Sequence, residues 1–344
     1  MNQFEIFFDG FYLSLIIFLG IRMFLIENND SKILGSMALL LGLGDSFHLV
    51  PRIIANVSEN GFIENSFGLF LGTRVSAITM SVFYLLFYYY IKKKNNMQRK
   101  ELDTFLILLF VIRIATVIIS FNHSEEMDLI SNVPFVLMGI IDILLLFKNK
   151  NIKEFKNLYI YVLFSFLFYV PVVLLKNVYP IIGMLMMPKT IMYVLIVIKL
   201  YKNLKKDFEK KDIMEFAISY LLSGILAGAV YRELRKIYPV DVKMAFVHTH
   251  LIVLGFVFLA IFYLIAKNLE IPNEKLEKLI RVYNFGIYFS FTTMFLHGLV
   301  DSYPILNSVK IAMTSISGIG HILITLSIIL ISIMSLRSRE VLNA

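Results

Sequence analysis

The stretch "AFVHTHLIVLGFVFLAIF", residues 245–262, decides the fold class of this chain. It is almost wholly apolar and nearly as long as the ~20 residues that a bilayer core requires. The rest of the chain is similar, since 58% of its 344 residues are hydrophobic and only 17% are charged. Inside a bilayer the backbone must satisfy its own hydrogen bonds, so such runs predict helices. We therefore predict an all-α, polytopic integral membrane bundle.

Eleven apolar runs of this kind follow one another along the chain. They cover residues 11–27, 33–52, 67–91, 103–121, 128–148, 157–175, 179–201, 213–231, 244–266, 280–301 and 309–336. Lysine and arginine are concentrated in connectors such as 92–102, 148–156 and 202–212, which the positive-inside rule places in the cytoplasm. This predicts an outer N-terminus, a cytoplasmic C-terminus and a multi-pass protein of the bacterial cytoplasmic membrane.

The charged connector 202–212 separates seven predicted helices from four. We predict two domains, residues 1–206 with seven helices and residues 207–344 with four. The net charge of +8 lies mostly in short connectors and indicates topology, not a nucleic-acid surface. The absence of cysteine excludes disulfides and thiolate metal sites.

Two histidines, His248 and His250, stand one residue apart in the opening stretch. Residues two apart in an α-helix differ by about 200° around the axis, so these imidazoles cannot face one centre. His297 and His321 lie in the next two spans, in the same predicted outer half of the membrane. Ionisable groups inside a membrane are costly and point to function. The simplest pairing predicts two bis-histidine centres beside the ninth span.

Histidine is the usual ligand of haem and transition metals, so haem b (one or two) or a transition metal is the predicted cofactor of these four histidines. Gly298, Gly318 and Gly320 allow either close helix packing or a flat macrocycle between helices. At the outer end of the eighth span, Arg232 is a candidate partner of haem propionates, with Tyr231 and Glu233 beside it. The alternative interpretation is that the histidines bridge helices or respond to pH.

The segment "HTHLIVLGFVFLAI", residues 248–261, resembles the helix of haem–copper oxidase subunit I that carries a His-x-His pair. In that family the pair serves two haems, one on each side of the helix. The resemblance implies that His248 and His250 are each an axial ligand. The chain lacks the copper-site histidine pair of the family, so oxygen reduction and proton pumping are not implied.

A second resemblance covers residues 213–336. The motifs "AGAVYREL", "VHTHLIVLGFVF", "VYNFG", "FLHG" and "SISGIGHILI" are together similar to an uncharacterised bacterial family of four-helix integral membrane proteins. This resemblance supports the domain boundary and implies no activity.

The first seven spans carry a polar set of their own. The motif "LGLGDSFHLVPRI" places Asp45, His48 and Arg52 near the predicted outer end of the second span, and Arg74 and Lys189 lie in the third and seventh. Because cations outnumber the one acid, convergence of these helices predicts an anion-binding pocket. The alternative is ion pairing of Asp45 with Arg52 or Arg74, which would hold the helices in register. The lysine of the seventh helix also resembles that of microbial rhodopsins, but the third span has no carboxylate and the chain has no tryptophan.

These features predict a membrane protein that binds haem b or a transition metal through its C-terminal histidines. Its role would be electron transfer or the handling of O₂ or NO, with a quinone or another redox carrier as partner. The alternative is a non-enzymatic membrane sensor or transporter with an anion-binding seven-helix domain.

Overall fold

The computed structural model of the chain describes residues 2–121, 125–176, 178–205, 207–269, 271–304 and 307–342. Over these residues the protein is all-helical and contains no strand. The α-helices in chain order are α1 (Asn2–Leu25), α2 (Ser31–Ala55), α3 (Gly61–Glu64), α4 (Ser66–Lys94), α5 (Lys100–Ile119), α6 (Glu125–Lys148), α7 (Leu158–Leu175), α8 (Met186–Leu204), α9 (Lys211–Leu234), α10 (Lys243–His250), α11 (Leu259–Lys267), α12 (Asn273–Val300) and α13 (Asn307–Leu342). A 3₁₀ segment, Pro180–Leu185, precedes α8, and a π-helical segment, Leu251–Phe258, joins α10 to α11.

Ten helices in the described residues are long and apolar enough to cross a membrane. The predicted span 280–301 forms the helix α12 but is not one of the ten. The reason is its composition, because it carries polar side chains such as Ser290, Thr292 and Thr293, and these three are among the 13 of its 28 residues that are buried. A helix enclosed by protein can carry polar side chains that a lipid-facing helix cannot.

The chain forms two compact units. The first unit comprises Met1–Ile26, Val50–Ser66 and Lys205–Ala344, and the second comprises Glu27–Leu49 and Phe67–Leu204. The predicted boundary after residue 206 lies close to the observed division after Leu204. The division otherwise differs from the predicted seven helices plus four, because α1 packs with the C-terminal helices and α2 contributes to both units.

Helix α1 is held in the first unit by a buried ion cluster. Arg22, whose side chain is 1% exposed, lies 2.6 Å from Glu215 and 3.2 Å from Asp212 of α9. Lys205 lies 2.6 Å from the same oxygen of Asp212 that Arg22 contacts. An arginine buried within a span needs a carboxylate partner, because an unpaired buried charge is costly. Packing of α1 on α9 meets this requirement, because α9 supplies both carboxylates.

Polar contacts also join α1 to α12. The hydroxyls of Ser14 and Thr292 are 2.8 Å apart, and Tyr288 donates a hydrogen bond of 2.6 Å to the carbonyl of Phe11. On the α9 side, Phe18 stacks on Tyr220 with ring centroids 4.8 Å apart. In the first unit, α1 therefore packs with the C-terminal helices and contacts both α9 and α12.

The π-helical segment begins immediately after His250, and α12 forms a hydrogen bond with its backbone. Tyr283 of α12 donates a hydrogen bond of 2.7 Å to the carbonyl of Leu254, in the middle of the segment. Gly255 lies against Tyr220, so that an added Cβ would come within 2.5 Å of that side chain. π-helical segments occur frequently at functional sites.

The second unit has an aromatic core with polar groups inside it. Phe83 and Tyr84 of α4 pack against Phe135 of α6, Phe166 of α7 and Tyr193 of α8, with ring centroids 5.2–6.1 Å apart. All five side chains are at most 7% exposed. The hydroxyl of Tyr84 lies at the centre of this core, 3.3 Å from that of Tyr193.

Candidate functional site

Two of the four predicted ligand histidines meet in the first unit. The ring centroids of His250 on α10 and His321 on α13 are 6.1 Å apart, and the ring planes are inclined at 83°. A metal about 2.0–2.1 Å from one nitrogen of each ring places the two centroids roughly 6 Å apart when those nitrogens face each other. The observed centroid separation is close to that spacing.

The backbone sets the proton position on both rings. Nδ1 of His250 lies 3.0 Å from the carbonyl of Phe246, and Nδ1 of His321 lies 2.8 Å from the carbonyl of Ser317. A carbonyl only accepts, so Nδ1 carries the proton in each case and Nε2 presents a lone pair. Histidines that bind metals usually donate their other ring N–H to such a partner.

Open space lies beside this histidine pair. His250 is half-buried and His321 is exposed, and the described residues of α13 pack extensively along α12 but not along α10. Gly318, three residues before His321 on α13, has no other atom within 4 Å of an added Cβ. Residues three apart share a helix face, so the space adjoins the His321 ring.

The other two predicted glycines serve helix packing. An added Cβ at Gly320 would come within 2.5 Å of the Ser290 hydroxyl and 2.9 Å of the Gly286 carbonyl. At Gly298 it would come within 2.2 Å of Met244. Close helix packing is therefore present at Gly298 and Gly320, whereas the space beside Gly318 is open and a macrocycle between helices stays a prediction.

His297 has a different environment. Its Nδ1 lies 3.0 Å from a carboxylate oxygen of Asp301, which also forms an ion pair with Lys243. Burial raises the pKa of the Asp301 carboxyl, but the hydrogen bonds from Lys243 and His297 outweigh it and hold that pKa below its ordinary value of 3.8. Asp301 is not among the residues predicted from the sequence, although its spacing of four residues from His297 on a predicted helix indicates a contact.

His248 faces α9. Its Cβ and Cγ lie 3.7 Å from the Cβ position of Gly228, and its Nδ1 is buried without a hydrogen-bond partner among the described residues. Of the four histidines, ring contact joins only His250 and His321 in the described part of the chain. A second centre built from His248 and His297 therefore stays a prediction.

The predicted propionate partners lie at the end of α9. Arg232 pairs with Glu233 at 2.9 Å, and Lys236 pairs with Glu233 at 2.6 Å, all on exposed side chains. The ring of Tyr231 lies 5.7 Å from the guanidinium of Arg235. This cluster is a surface ion-pair group at a helix end, and its contact with a cofactor stays a prediction.

In the second unit, Lys189 lies near two tyrosine rings and interacts with Asp45. The ammonium of Lys189 lies 4.6 Å from the ring centre of Tyr169 and 5.4 Å from that of Tyr193, and it interacts electrostatically with Asp45. Asp45 also accepts a hydrogen bond of 3.1 Å from Ser76. The anion-binding pocket and the ion pairing of Asp45 with Arg52 or Arg74 both stay predictions.

The remaining predicted pocket residues have other partners. Arg74 is buried over the ring of Phe70 at 3.6 Å and donates to the carbonyl of Ser120 at 3.2 Å. Arg52 belongs to the first unit, where it pairs with Glu5. His48 lies where α2 closely approaches Gly72 of α4. The five residues are thus divided between the two units, which the sequence alone does not reveal.

Within the described residues, no group of three or more His, Cys, Asp or Glu is arranged to hold a metal ion. The site in the first unit therefore consists of two imidazoles with accessible Nε2 atoms, a backbone that orients them, and open space beside them.

Comparison with known proteins covers one part of the chain. Residues 210–338 match the model of a family described as "Protein of unknown function (DUF2871)". No curated protein and no solved structure matches the chain. The predicted resemblance of the C-terminal part to an uncharacterised family is confirmed, whereas the resemblance to haem–copper oxidases is not shown by any comparison. The family match covers α9 to α13 and does not include α1, which packs with them.

Proposed function

We propose that the first unit binds a haem b between His250 and His321 and transfers electrons. The observation that carries the proposal is the pair of imidazoles with centroids 6.1 Å apart. Each ring is oriented by its own helix carbonyl so that Nε2 is available. The open space at Gly318 offers room for a macrocycle beside the pair.

A haem fits these residues better than a metal ion alone. A structural zinc ion takes four protein ligands, and a catalytic zinc ion takes three. The described residues supply two histidines here and no larger cluster. A porphyrin brings four nitrogens of its own, so two histidines complete its coordination.

The ligand set also favours one of the predicted roles. A bound haem supplies a one-electron couple. His250 and His321 would both be used as haem ligands, so a gas would have to compete with one of them. Electron transfer requires no displacement, and it is the role that the pair supports. A quinone or another membrane redox carrier is the proposed partner.

The location and orientation are part of the proposal. Ten apolar helices support a multi-pass membrane protein. We place it in the bacterial cytoplasmic membrane with an outer N-terminus, because the connectors 92–102, 148–156 and 202–212 are rich in basic residues. The chain has no cysteine, so a single cysteine introduced at Asp207 can be labelled selectively. Labelling by an impermeant maleimide in sealed cells would overturn this orientation.

An optical spectrum of the purified full chain, expressed with haem precursor, tests the cofactor. We expect a Soret band and sharp α and β bands on reduction, with one haem per chain. Ferric EPR adds a geometric test, because perpendicular imidazole planes give a strongly anisotropic low-spin signal. A second haem per chain would assign the additional centre to His248 and His297.

Four variants distinguish the proposed haem ligands from the residues beside them. His250→Ala and His321→Ala should each abolish the low-spin signal, and added imidazole should restore it. Gly318→Leu should reduce haem content without disturbing the fold, because it fills open space. His248→Ala, two residues from His250 on the same helix, is the matched control and should retain the signal. Protein that folds but carries no haem, or keeps its haem in all four variants, would refute the proposal.

A further inference from the structure

A carboxylic acid is deeply buried in the second unit. Asp142 of α6 is 1% exposed, and neither of its side-chain oxygens has a hydrogen-bond partner among the described residues. An unpaired carboxylate buried in protein at membrane depth is costly, whereas the neutral acid is not. Asp142 therefore holds a proton at rest.

The phenol groups of two tyrosines lie near this acid. Asp142 lies close enough to Tyr84 and Tyr88 of α4 to act electrostatically on both. The Tyr84 hydroxyl is 3.3 Å from Tyr193 of α8 and 3.3 Å from Ser165 of α7. A hydroxyl both donates and accepts, so each of these groups can receive one proton while releasing another.

The chain of polar groups continues in both directions from Asp142. Beyond Tyr193 it reaches Lys189, whose ammonium lies 5.4 Å from the Tyr193 ring centre and interacts with Asp45. In the other direction, Tyr88 donates a hydrogen bond of 2.6 Å to Asp103, which lies 2.6 Å from the partly exposed Lys92.

Helix α4 carries Tyr84 and Tyr88 in a row with Ser76, which donates to Asp45, and Lys92, which donates to Asp103. Ser76, Tyr84, Tyr88 and Lys92 follow one another at intervals of eight and four residues. At 1.5 Å per residue, the row is about 24 Å long, which is most of the thickness of a bilayer core. We call the set Asp45, Lys189, Tyr193, Tyr84, Asp142, Tyr88 and Asp103 the polar row.

We propose that the polar row conducts protons through the second unit. Asp142 gives its proton, through a bridging water, to the Tyr84 oxygen while Tyr84 releases its own hydroxyl proton to Tyr193. The Lys189 ammonium passes a proton to Asp45, which releases it, and Lys189 takes up the proton that Tyr193 releases. At the other end, Asp103 takes up a proton and returns it to Asp142 through Tyr88 and a second bridging water. One proton enters, one leaves, and every group returns to its first state after its hydroxyls reorient. This role belongs to the second unit and does not depend on haem in the first.

Proton flux into liposomes tests the proposal. The full chain is reconstituted with a trapped pH-sensitive dye, and a potassium gradient with valinomycin supplies the driving force. Wild type should acidify the lumen faster than protein-free liposomes, and Asp142→Asn and Tyr84→Phe should lower the rate to that of protein-free liposomes. Tyr90→Phe is the matched control, because Tyr90 is equally buried on α4 but packs against Phe155. It should keep the wild-type rate.

Infrared spectroscopy keeps the proposal testable if a variant misfolds. The wild-type protein at neutral pH should show the C=O stretch of a protonated carboxyl group, and Asp142→Asn should lack it. The proposal is wrong if wild type carries protons no faster than protein-free liposomes, if it carries sodium instead, or if Asp142→Asn conducts like wild type. Absence of the protonated carboxyl band from the wild-type spectrum would also overturn it.

Discussion

The two compact units handle buried charge in opposite ways. In the first unit, Asp212 is 1% exposed and contacts both Arg22 and Lys205. In the second, Asp142 is equally buried, and its oxygens have no hydrogen-bond partner among the described residues. Pairing fixes a charge and ties helices together, whereas protonation leaves a group that can exchange a proton. Asp212 and Asp142 are equally buried, but the contacts of Asp212 indicate a structural role, whereas the burial of Asp142 without a hydrogen bond among the described residues favours a functional one.

Removing the arginine of the first unit should produce the largest effect. Arg22→Ala leaves Asp212 and Glu215 buried with one cation fewer. Breaking a buried ion pair from one side costs about 3–5 kcal/mol, so the first unit should unfold at a clearly lower temperature in detergent. Arg281→Ala removes an arginine that is 69% exposed and pairs with Glu277 on the same helix. Such a pair contributes at most about 0.5 kcal/mol, and an equal loss in both variants would remove the distinction.

The next largest loss of stability is expected at the contact between α12 and α13. Gly320→Ala pushes a methyl group into the Ser290 hydroxyl and the Gly286 carbonyl, and overpacking of this kind costs about 1–3 kcal/mol. Gly318→Ala, two residues away, meets open space and should be neutral or slightly stabilising, because alanine favours helix more than glycine does. Thermal unfolding of the two variants measures the difference. Equal destabilisation would mean that α13 packs in another register.

Acid should weaken the first unit through Asp301. Its pKa is held below the ordinary value by Lys243 and His297. A carboxyl group with a lower pKa in the folded chain stabilises the fold fully above its unfolded value, near 3.8, and loses that contribution as pH falls through the folded value. Asp301→Asn should therefore flatten the acid limb of the stability profile, and Glu277→Gln, a carboxylate removed elsewhere on the first unit, should not.

The smallest effect is expected for Asp142→Asn. If Asp142 is already neutral, replacement by an amide of similar shape should change the free energy of unfolding by less than about 1 kcal/mol. Asp212→Asn makes the same chemical change at a paired site, and it should cost several times more, because Arg22 and Lys205 lose a carboxylate. Similar losses at the two sites would show that Asp142 is charged and paired.

The sequence by itself determined the helical fold class and the different directions in which His248 and His250 point. Long apolar runs permit only helices in a bilayer, so all-helical structure follows from composition. The angle of about 200° between His248 and His250 is a property of any α-helix, and it correctly indicates that the two rings have different neighbours. The structure places His250 beside His321 and His248 against Gly228.

Only the tertiary structure decided which helices belong together. Arg22 requires an acid, but the sequence does not specify that Asp212 and Glu215, almost two hundred residues away, supply it. Helix order in a membrane is set by a few such pairs and by close approaches like that of Gly286 to Gly320, not by the apolar surface common to every span. For the same reason, five polar residues that resemble one pocket in the sequence were divided between two units.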